Sequence, residues 1–335
     1  MVNVDRRDIV IDTLKAYPKT DNRTLARLLH DQYPHEFGTV ESARSSVRYY
    51  RGVQGSKKSV KASLRHKTAQ PKRTPRTITI PKGIRHAPPA RRFRDRGKWL
   101  LIGDLHCPFH DESAIEAAIR HSVDNGVEHL CLNGDVYDFY KLSRWTKNPK
   151  ERDPEHELDV GGQVLDEFAS HFGGRKVFKA GNHEERYETY LYAQAPALVG
   201  IADFELHKVL KLRDRGYDFV KSRQFYSLGR LSVFHGHELP RGLTDPVNVA
   251  RGVWNRVRES AIVNHWHRTS THVDTSGLKT RTDACYSIGC MCDMQPNYAP
   301  VNAWNLGYAE VEIGEKGTWN VQLKIVDRGQ VYSVC

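Results

Sequence analysis

Short apolar runs alternate with amphipathic segments from residue 99 onwards. Trp99 to Ile102 is an apolar run closed by Gly103, a pattern that predicts a buried strand. Two more strands are predicted at 127–132 and 176–180, with helices at 113–125 and 158–172 and another helix after Gly181. Alternation of this kind is typical of a parallel or mixed sheet covered by helices. We therefore predict an α/β domain over residues 99–335.

The remainder of this domain continues the mixed pattern. The apolar positions predict a helix over 204–212, short strands over 217–229 and a helix over 248–259. From Trp304 to Val334 they indicate two or three antiparallel strands, with a Gly-Glu-Lys-Gly turn at 314–317.

The first 52 residues predict a small all-α module of three short helices. The first helix stops at Pro18, and Asp21 caps the second, whose leucines share one face. Thr39 caps the third, and Gly52 ends it. The apolar face of this third helix consists of Val40, Ala43, Val47 and Tyr50.

A second face of the third helix is basic, with Arg44, Arg48 and Arg51. This arrangement resembles a helix-turn-helix module, whose second motif helix enters the major groove of DNA, and it predicts that these arginines bind nucleic acid. The connection at 33–39 is longer than the usual three to four residues of that motif. A helical interaction domain whose arginines face solvent explains the pattern equally well.

Residues 53–98 form a predicted basic linker. Residues 57–98 hold 15 Lys and Arg against one acid, Asp95, and the linker contains five prolines. Such a composition buries too little apolar surface to fold by itself, although Thr77–Ile80 is predicted to form a lone strand. A polybasic tract attracts phosphate backbones. We expect nucleic acid, and DNA rather than RNA, as a partner, with contacts from Lys72, Arg73, Arg91 and Arg92. A tether that only keeps the chain soluble is the alternative.

Charge and cysteine usage restrict the class of protein further. The chain has a net charge of +11, yet residues 99–335 hold 27 Lys and Arg against 32 Asp and Glu. Six cysteines, at 107, 131, 285, 290, 292 and 335, fit neither a zinc pair nor a small disulfide framework. No apolar run approaches the ~18 residues of a membrane span, and the first residues lack the apolar centre of a signal peptide. We expect a cytoplasmic protein with reduced cysteines and no membrane contact.

Side chains that bind metals follow five of the apolar runs. Asp104 and His106 leave the first strand two residues apart, close enough to hold one metal ion. The other segments are Gly134-Asp-Val-Tyr-Asp138, Gly181-Asn-His-Glu184, His235-Gly-His237 and Asn264-His-Trp-His267. One such segment is weak support for a site, but five at strand ends are hard to obtain by accident, and ligands gather beyond the carboxyl ends of strands.

In this order, the five segments resemble the motifs of the calcineurin-like metallophosphoesterase superfamily, from Trp99 to the C-terminus. The resemblance implies a four-layer α/β/β/α sandwich and two divalent metal ions. It assigns Asp104, His106 and His267 to the first metal, Asn182, His235 and His265 to the second, and Asp135 to both. Manganese is the metal we expect first, and iron, zinc and nickel suit the same nitrogen and oxygen ligands.

The resemblance also implies the catalytic residues. His183 would protonate the leaving oxygen, and Asp138 would hold its imidazole in the required tautomer. His237 and Glu184 would support ligands through hydrogen bonds.

Three positions depart from related patterns. Asn264 stands where the superfamily usually has glycine. Phe139 and Ala180 replace the two arginines by which Ser/Thr protein phosphatases of the superfamily bind phosphate, which argues against a phosphoprotein phosphatase. Arg144, Arg186 and Arg268 are candidates for a substitute.

The sequence therefore predicts an enzyme that hydrolyses phosphate esters by attack of a metal-bridged hydroxide. Nucleic acid is the expected substrate, for a nuclease or an end-processing phosphatase, because the basic linker adjoins the domain. The alternative is a phosphoesterase of nucleotides or other small phosphate esters, with residues 1–98 only localising it. A non-catalytic nucleic-acid-binding regulator is the third interpretation, although inert relatives are expected to lose ligands and none is missing here.

Overall fold

The computed structural model describes residues 5–52, 80–83, 91–143, 153–239, 247–278 and 280–334. Its N-terminal part is built from three helices. The helices are α1 (Arg6–Ala16), α2 (Asn22–Gln32) and α3 (Val40–Arg51). Asp21 caps α2 by accepting hydrogen bonds from the backbone N–H groups of Arg23 and Thr24, and Thr39 caps α3 through Ser42. Gly52 ends α3 in the left-handed conformation, with φ of 77°. All three capping predictions are confirmed.

The apolar faces of these helices form one core. Ala43 and Val47 of α3 are fully buried, and Val40 and Tyr50 pack against them, as the sequence predicts. Their partners in α1, α2 and the following loop include Val10, Leu14, Leu25, Leu29 and Phe37. The unit therefore has a hydrophobic core of its own.

The chain divides into two compact units, Met1–Ile84 and Arg85–Cys335. The second unit begins before Trp99, because β1 (Arg91–Phe93) and the first residues of β2 (Gly97–Ile102) already belong to its sheets. The last residues of the predicted linker thus lie in the α/β unit. Lys72, Arg73 and residues 77–79 of the predicted lone strand lie outside the described residues.

The strands that precede the first motifs belong to a seven-stranded sheet. Its strand order is β13-β12-β11-β2-β3-β4-β5. Strands β2 to β5 are parallel, and β11 to β13 extend the sheet in antiparallel fashion. The parallel strands after β2 are β3 (His129–Asn133), β4 (Lys176–Lys179) and β5 (Tyr217–Val220), and the antiparallel ones are β11 (Gly307–Ile313), β12 (Trp319–Asp327) and β13 (Gln330–Ser333).

The strands that precede the later motifs belong to a six-stranded sheet. Its strand order is β1-β6-β7-β8-β10-β9. Its further strands are β6 (Tyr226–Leu228), β7 (Leu231–Val233), β8 (Ala261–Val263), β9 (Ser270–Ser276) and β10 (Arg281–Ser287). The pairs β6–β7 and β9–β10 are antiparallel, whereas β7, β8 and β10 run parallel to one another.

Helices cover the outer faces of the two sheets. They are α4 (Glu112–Asp124), α5 (Pro154–His171), α6 (Asn182–Gln194), α7 (Leu206–Val209) and α8 (Val249–Val257). In β2, Leu100 and Ile102 face the core under α4 and α5, while Trp99 and Leu101 face the other sheet. A strand buried on both faces reads as a continuous apolar run, which is why β2 was predictable. On the far side, Val253 of α8 packs on β8. The predicted four-layer α/β/β/α sandwich is confirmed.

Three elements differ from the sequence-based prediction. The helix predicted over 204–212 is only the short α7, preceded by a 3-10 turn at Ala202–Phe204. The β9–β10 hairpin and β1 were missed, because β9 is largely polar and β1 lies in a basic stretch. Within the described ranges, no helix combines the length and apolarity needed to cross a membrane.

Candidate metal centre

The loops after β2 and β3 are hydrogen-bonded side by side. The Asp104 N–H donates to the Gly134 carbonyl at 2.9 Å, and the His106 N–H donates to the Asp135 carbonyl at 2.9 Å. The two loops continue the parallel pairing of their strands. Asp104, His106 and Asp135 are thereby held at one edge of the sheet.

Five of the seven predicted ligands adopt a backbone conformation that non-glycine residues rarely use. Their φ angles lie between 52° and 73°, at Asp104, His106, Asp135, His265 and His267. Each such residue costs on the order of 1–3 kcal/mol, and strain of this kind clusters at functional sites. The backbone conformation thus marks this edge independently of the side chains.

The first group of predicted ligands is Asp104, His106 and His267. The Nε2 atoms of the two histidines are 3.3 Å apart, and His267 Nε2 is 3.5 Å from Asp104 Oδ1. All three residues are buried. Among the described residues, none donates a hydrogen bond to Asp104 Oδ1. A buried carboxylate oxygen without a donor, beside two imidazoles, is what a cation site requires.

The second group contains His235, Asn182 and His265. His235 Nε2 lies 3.2 Å from Asn182 Oδ1 and 3.1 Å from Asp135 Oδ2. His235 Nδ1 donates to the Asn133 carbonyl at 2.8 Å, so Nε2 is the atom left to bind a metal. Ligand atoms of Asp135, His235 and His265 all lie within 4.8 Å of one another.

Asp135 belongs to both sides of the centre. Its carboxylate also groups within 4.8 Å with His106 and His183. Because one carboxylate reaches imidazoles on each side, its position suits a shared ligand. The seven predicted ligands converge, and their donor set fits two divalent cations.

His183 is held through its Nδ1 atom. This nitrogen is 3.0 Å from Asp138 Oδ1 and 2.9 Å from the Asp138 carbonyl. His106 Nδ1 approaches the same carboxylate at 3.1 Å. Burial alone would raise the pKa of Asp138, but the hydrogen bonds from His106 and His183 lower it. Asp138 is therefore an ionised acceptor for two imidazoles.

Arg186 meets the other side of His183. Its Nη2 atom lies 2.9 Å from His183 Nε2, and its Nη1 atom donates to the Asp138 carbonyl at 2.7 Å. Arginine has no acceptor, so Nε2 accepts this hydrogen bond and the imidazole is neutral. Burial and the positive charge of Arg186 lower the pKa of His183, in agreement with that state. Arg144 lies outside the described residues, and Arg268 is half-buried.

Glu184 organises the backbone around the centre. It is fully buried, and its carboxylate accepts hydrogen bonds from the N–H groups of Asp135, Val136, Tyr137 and Gly181 at 2.7–2.9 Å. This side chain therefore ties the loop after β3 to the start of α6. The ring of His237 bonds to Ser222 Oγ at 2.9 Å, so its hydrogen bond supports the loop before β6.

Two supporting contacts were missed by the sequence analysis. Lys179, fully buried at the end of β4, pairs with Glu238 at 3.0 Å, and Glu238 accepts the Gly236 N–H at 2.8 Å. This pair holds the loop that carries His235. A lysine inside an apolar strand was the available signal, but its partner is 59 positions away in the sequence.

Asn264 fits the turn despite replacing the usual glycine. Its side-chain oxygen accepts a hydrogen bond from Asn133 Nδ2 at 2.8 Å, and its N–H donates to the His235 carbonyl at 2.8 Å. Asn133 also donates to the Phe234 carbonyl at 3.0 Å. The two buried amides thus join the ends of β3, β7 and β8.

Two glycines make room for the centre. A Cβ atom on Gly134, whose φ is 95°, would lie 2.3 Å from His235 Nδ1. A Cβ atom on Gly181 would lie 2.2 Å from Asp135 Oδ1. Neither position accepts a side chain without moving a predicted ligand.

The carboxylates and imidazoles shift one another's pKa. Burial alone would lower the pKa of His267, but the Asp104 carboxylate raises it to about 10. Burial would also lower the pKa of His235, yet Asp135 and Asp104 raise it to about 9. Burial and the charge of His235 lower the pKa of His265 to about 4. The carboxylates thus attract positive charge, and a divalent cation would compete with these protons.

A cavity of about 240 Å³ adjoins the first group, lined by His106, Asp138, Tyr140, Cys292 and Tyr298 among others. A second groove of about 500 Å³ adjoins Asn182 and Arg186, and Lys141 and Arg223 add positive charge to it. Both open spaces border predicted ligands, so there is open volume on two sides of this group of side chains.

The predicted nucleic-acid contacts differ in their availability. Arg51 bonds to Asn22 Oδ1 at 2.7 Å and to the Thr20 carbonyl, so its guanidinium ties α3 to the α1–α2 loop. Arg44 pairs with Glu41 at 3.3 Å, and Arg48 is half-buried. Arg91 pairs with Asp218 and donates to the Phe219 carbonyl at 2.8 Å.

Arg92, by contrast, is exposed. It lines a groove of about 420 Å³, here called the basic groove, together with Arg94, Arg96, Arg230 and Lys316. The basic groove lies where β2 and β7 begin, whereas the metal centre lies where they end. The length of β2 separates the two by about 20 Å.

No family model matches the chain. The Gene 54 protein of Mycobacterium phage L5 is 29% identical over 198 residues, which cover 56% of this chain and 76% of that protein. The Gene 54 protein of Mycobacterium phage D29 is 28% identical over 197 residues, with the same coverage of both chains.

Three solved structures align with about 71% of this chain. Vps29 from Entamoeba histolytica has a TM-score of 0.35 and 11% identity, over 97% of its own length. YfcE, a phosphoesterase from E. coli, has a TM-score of 0.33 and 15% identity, over 98% of its length. A dimetal phosphatase from Danio rerio has a TM-score of 0.36 and 12% identity over 99% of its length.

Proposed function

We propose that the protein hydrolyses phosphate esters with two divalent metal ions. The observation that carries this proposal is the convergence of Asp104 and Asp135 with four histidines and Asn182, together with the buried Asp104 Oδ1 atom, which accepts no hydrogen bond from the described residues. Asp104, His106 and His267 would hold one ion, Asn182, His235 and His265 the other, and Asp135 both. Such a pair of ions supplies an activated water at neutral pH and neutralises charge on the phosphoryl oxygens.

His183 is the residue that we assign as general acid. Its Nδ1 atom is anchored by Asp138, so Nε2 is the nitrogen able to carry a proton to a leaving oxygen. An ionised Asp138 stabilises the protonated imidazole and keeps the ring in one orientation. The proton would move from Nε2 to the leaving oxygen as the ester bond breaks.

Arg186 is the residue that we assign to the phosphate. Its guanidinium already lies 2.9 Å from His183 Nε2, so it borders the position of the leaving group. Phosphate oxygens are better acceptors for arginine than a neutral imidazole, and two parallel hydrogen bonds are available. Movement of Arg186 onto a bound phosphate would release His183 Nε2 for protonation.

Nucleic acid is the substrate that we propose. The support is the distribution of charge: Met1–Ile84 holds 18 Lys and Arg against seven Asp and Glu, and Arg85–Cys335 holds 33 of each. The basic groove of the second unit adds a positively charged surface that could bind an anionic ligand. Nucleotides or other small phosphate esters are the alternative substrates, for which the cavity of about 240 Å³ beside His106 offers an enclosed space.

The test compares metal-dependent hydrolysis of single- and double-stranded DNA, RNA, an aryl phosphodiester and an aryl phosphomonoester. Manganese is the first metal to add, followed by zinc, iron and nickel. We expect His183→Ala to lower kcat by about 10²–10⁴-fold without changing the metal content. His171→Ala is the matched control, since His171 is exposed on α5 and pairs with Glu167 in its own helix.

The outcomes separate the proposals. If none of these substrates is hydrolysed in a metal-dependent manner, the proposed phosphoesterase activity is contradicted. Hydrolysis of the aryl esters alone favours small phosphate esters over nucleic acid. A His183→Ala variant that has lost its metals contradicts the role of His183 as an acid.

A further inference from the structure

Cys292 lies against the first metal position and has no role in the proposed mechanism. It is 3% exposed and follows β10 in the segment 290–292. The backbone fixes this segment against the predicted ligands: the Met291 N–H donates to the Asp104 carbonyl at 3.0 Å, and Cys292 forms an antiparallel bridge with His110. The thiol is therefore held beside the loop that carries Asp104 and His106.

The sulfur lies beside two imidazoles that are predicted ligands. One nitrogen each of His106 and His267 and the Cys292 Sγ atom all lie within 4.8 Å of one another, and Sγ is 4.0 Å from His267 Nδ1. Two ligand atoms on one tetrahedral ion are about 3.3–3.6 Å apart, given metal–nitrogen and metal–sulfur bonds of about 2.0 and 2.3 Å. The His106–His267 Nε2 separation of 3.3 Å meets that value, and Cys292 Sγ would move closer to the two nitrogens when a metal binds.

An independent observation also points to a cation here. Asp104 Oδ1 is fully buried, is 3.5 Å from His267 Nε2 and has no hydrogen-bond donor among the described residues. Cys131, by contrast, bonds to the Tyr226 hydroxyl between the two sheets. Cys290 also interacts with His267, but Cys292 is the described cysteine that groups with both His106 and His267.

We propose that Cys292 is a thiolate ligand of the first metal, together with Asp104, His106 and His267. The inference rests on the proposed two-metal function and deepens it. Binding releases the thiol proton to solvent and leaves the sulfur as a soft, anionic donor. A sulfur donor favours zinc or iron over manganese, so the first position selects a softer metal than the second, whose ligands are nitrogen and oxygen atoms.

The test uses Co²⁺ as a spectroscopic probe in the full-length metal-free protein. Thiolate ligation produces a sulfur-to-cobalt charge-transfer band in the near ultraviolet, whereas nitrogen and oxygen ligands give only the weaker visible bands. We expect the charge-transfer band in the wild type and its loss in Cys292→Ser, with the visible bands retained. Cys285→Ser is the matched control, because Cys285 is equally buried and its Sγ atom donates to the Glu259 carbonyl. This variant is expected to keep the band. Cys290→Ser is made as well, because Cys290 also interacts with His267, and it is expected to keep the band too.

Metal competition gives a second readout. With zinc and manganese supplied together, metal analysis is expected to find zinc in one of the two positions of the wild type. Cys292→Ser is expected to lower zinc affinity at that position by about tenfold or more. X-ray absorption of the zinc-loaded wild type needs no variant, and it is expected to show a sulfur neighbour at about 2.3 Å.

The possible failures are distinguishable. Two bound cobalt ions without a charge-transfer band, or zinc without a sulfur neighbour, overturn the role of Cys292 and leave the phosphoesterase proposal intact. If the band disappears in Cys290→Ser but not in Cys292→Ser, Cys290 is the thiolate ligand and the proposal for Cys292 is overturned. No cobalt or zinc bound to the wild type overturns the two-metal function together with this inference.

Discussion

At residue scale, one contact of Arg186 would couple substrate binding to acid catalysis in the proposed mechanism. Its guanidinium donates to His183 Nε2, the nitrogen that would carry the proton of the proposed general acid. The same guanidinium is the positive group beside His183 that we propose for binding a phosphate. Arg186 and a proton therefore compete for His183 Nε2. In the proposed mechanism, a bound phosphate would draw Arg186 away and favour the protonated His183.

Replacing Arg186 tests this coupling. Because a hydrogen bond to a charged group contributes about 1.5–3 kcal/mol, we expect Arg186→Ala to lower kcat/KM by roughly 10- to 100-fold, measured by steady-state kinetics with an aryl phosphodiester. Arg223→Ala is the control: Arg223 lines the same groove but is 73% exposed and pairs with Glu185. Equal losses in both variants would show that only the charge of the groove matters.

At the scale of elements, the centre is the set of strand ends that the two sheets bring together. The loops after β2 and β3 are bonded backbone to backbone, and α6 starts against them because Glu184 accepts four N–H groups. This packing leaves no room for a side chain at Gly181. The spacing between the loop and the helix therefore fixes the position of Asp135.

Gly181→Ala tests that spacing. The added Cβ atom would lie 2.2 Å from Asp135 Oδ1, so the carboxylate or the helix must move. We expect a loss of about 1–3 kcal/mol in the free energy of unfolding, measured with urea, and fewer than two metal ions per chain by metal analysis. Gly173→Ala, where a Cβ atom meets nothing within 4 Å, is the control. Full metal content in Gly181→Ala would contradict the proposed crowding.

At the scale of the whole molecule, the net charge and the predicted metal ligands lie in different units. The entire net charge of +11 lies in Met1–Ile84, while Arg85–Cys335 is neutral overall and contains every predicted ligand. The basic groove is the local exception in the second unit, about 20 Å from the centre. Attraction of nucleic acid would therefore depend on the first unit and on salt.

Removing Met1–Ile84 tests this division. The boundary spares β1, which pairs with β6 and belongs to the second unit. We expect unchanged turnover of an aryl phosphodiester, but weaker binding and slower hydrolysis of DNA, with a shallower dependence of log K on log salt by about 0.9 per lost phosphate contact. If both proteins hydrolyse DNA equally at every salt concentration, the proposal that Met1–Ile84 binds a nucleic-acid substrate is contradicted.

Much of the fold was predictable because its signals are local. Apolar runs located the parallel strands β2 to β4, and capping residues such as Asp21 and Thr39 located helix starts. The predicted linker, residues 53–98, wrongly included β1. The sequence of β1 is basic, and its pairing with β6 cannot be recognised from its own residues. The polar hairpin β9–β10 was missed for the same reason.

By itself, the sequence determined the alternation of strands and helices, the uneven charge and the ligand-type residues that follow the strands. Each of these depends on neighbours within a few positions. Only the tertiary structure decided the partners: Arg186 on His183, Lys179 with Glu238, and Cys292 beside His106 and His267. The physical reason is that burial, distance and electrostatic shifts depend on which chain segments pack together, and segments more than a hundred positions apart, such as those of His106 and His267, meet only in the folded sheets.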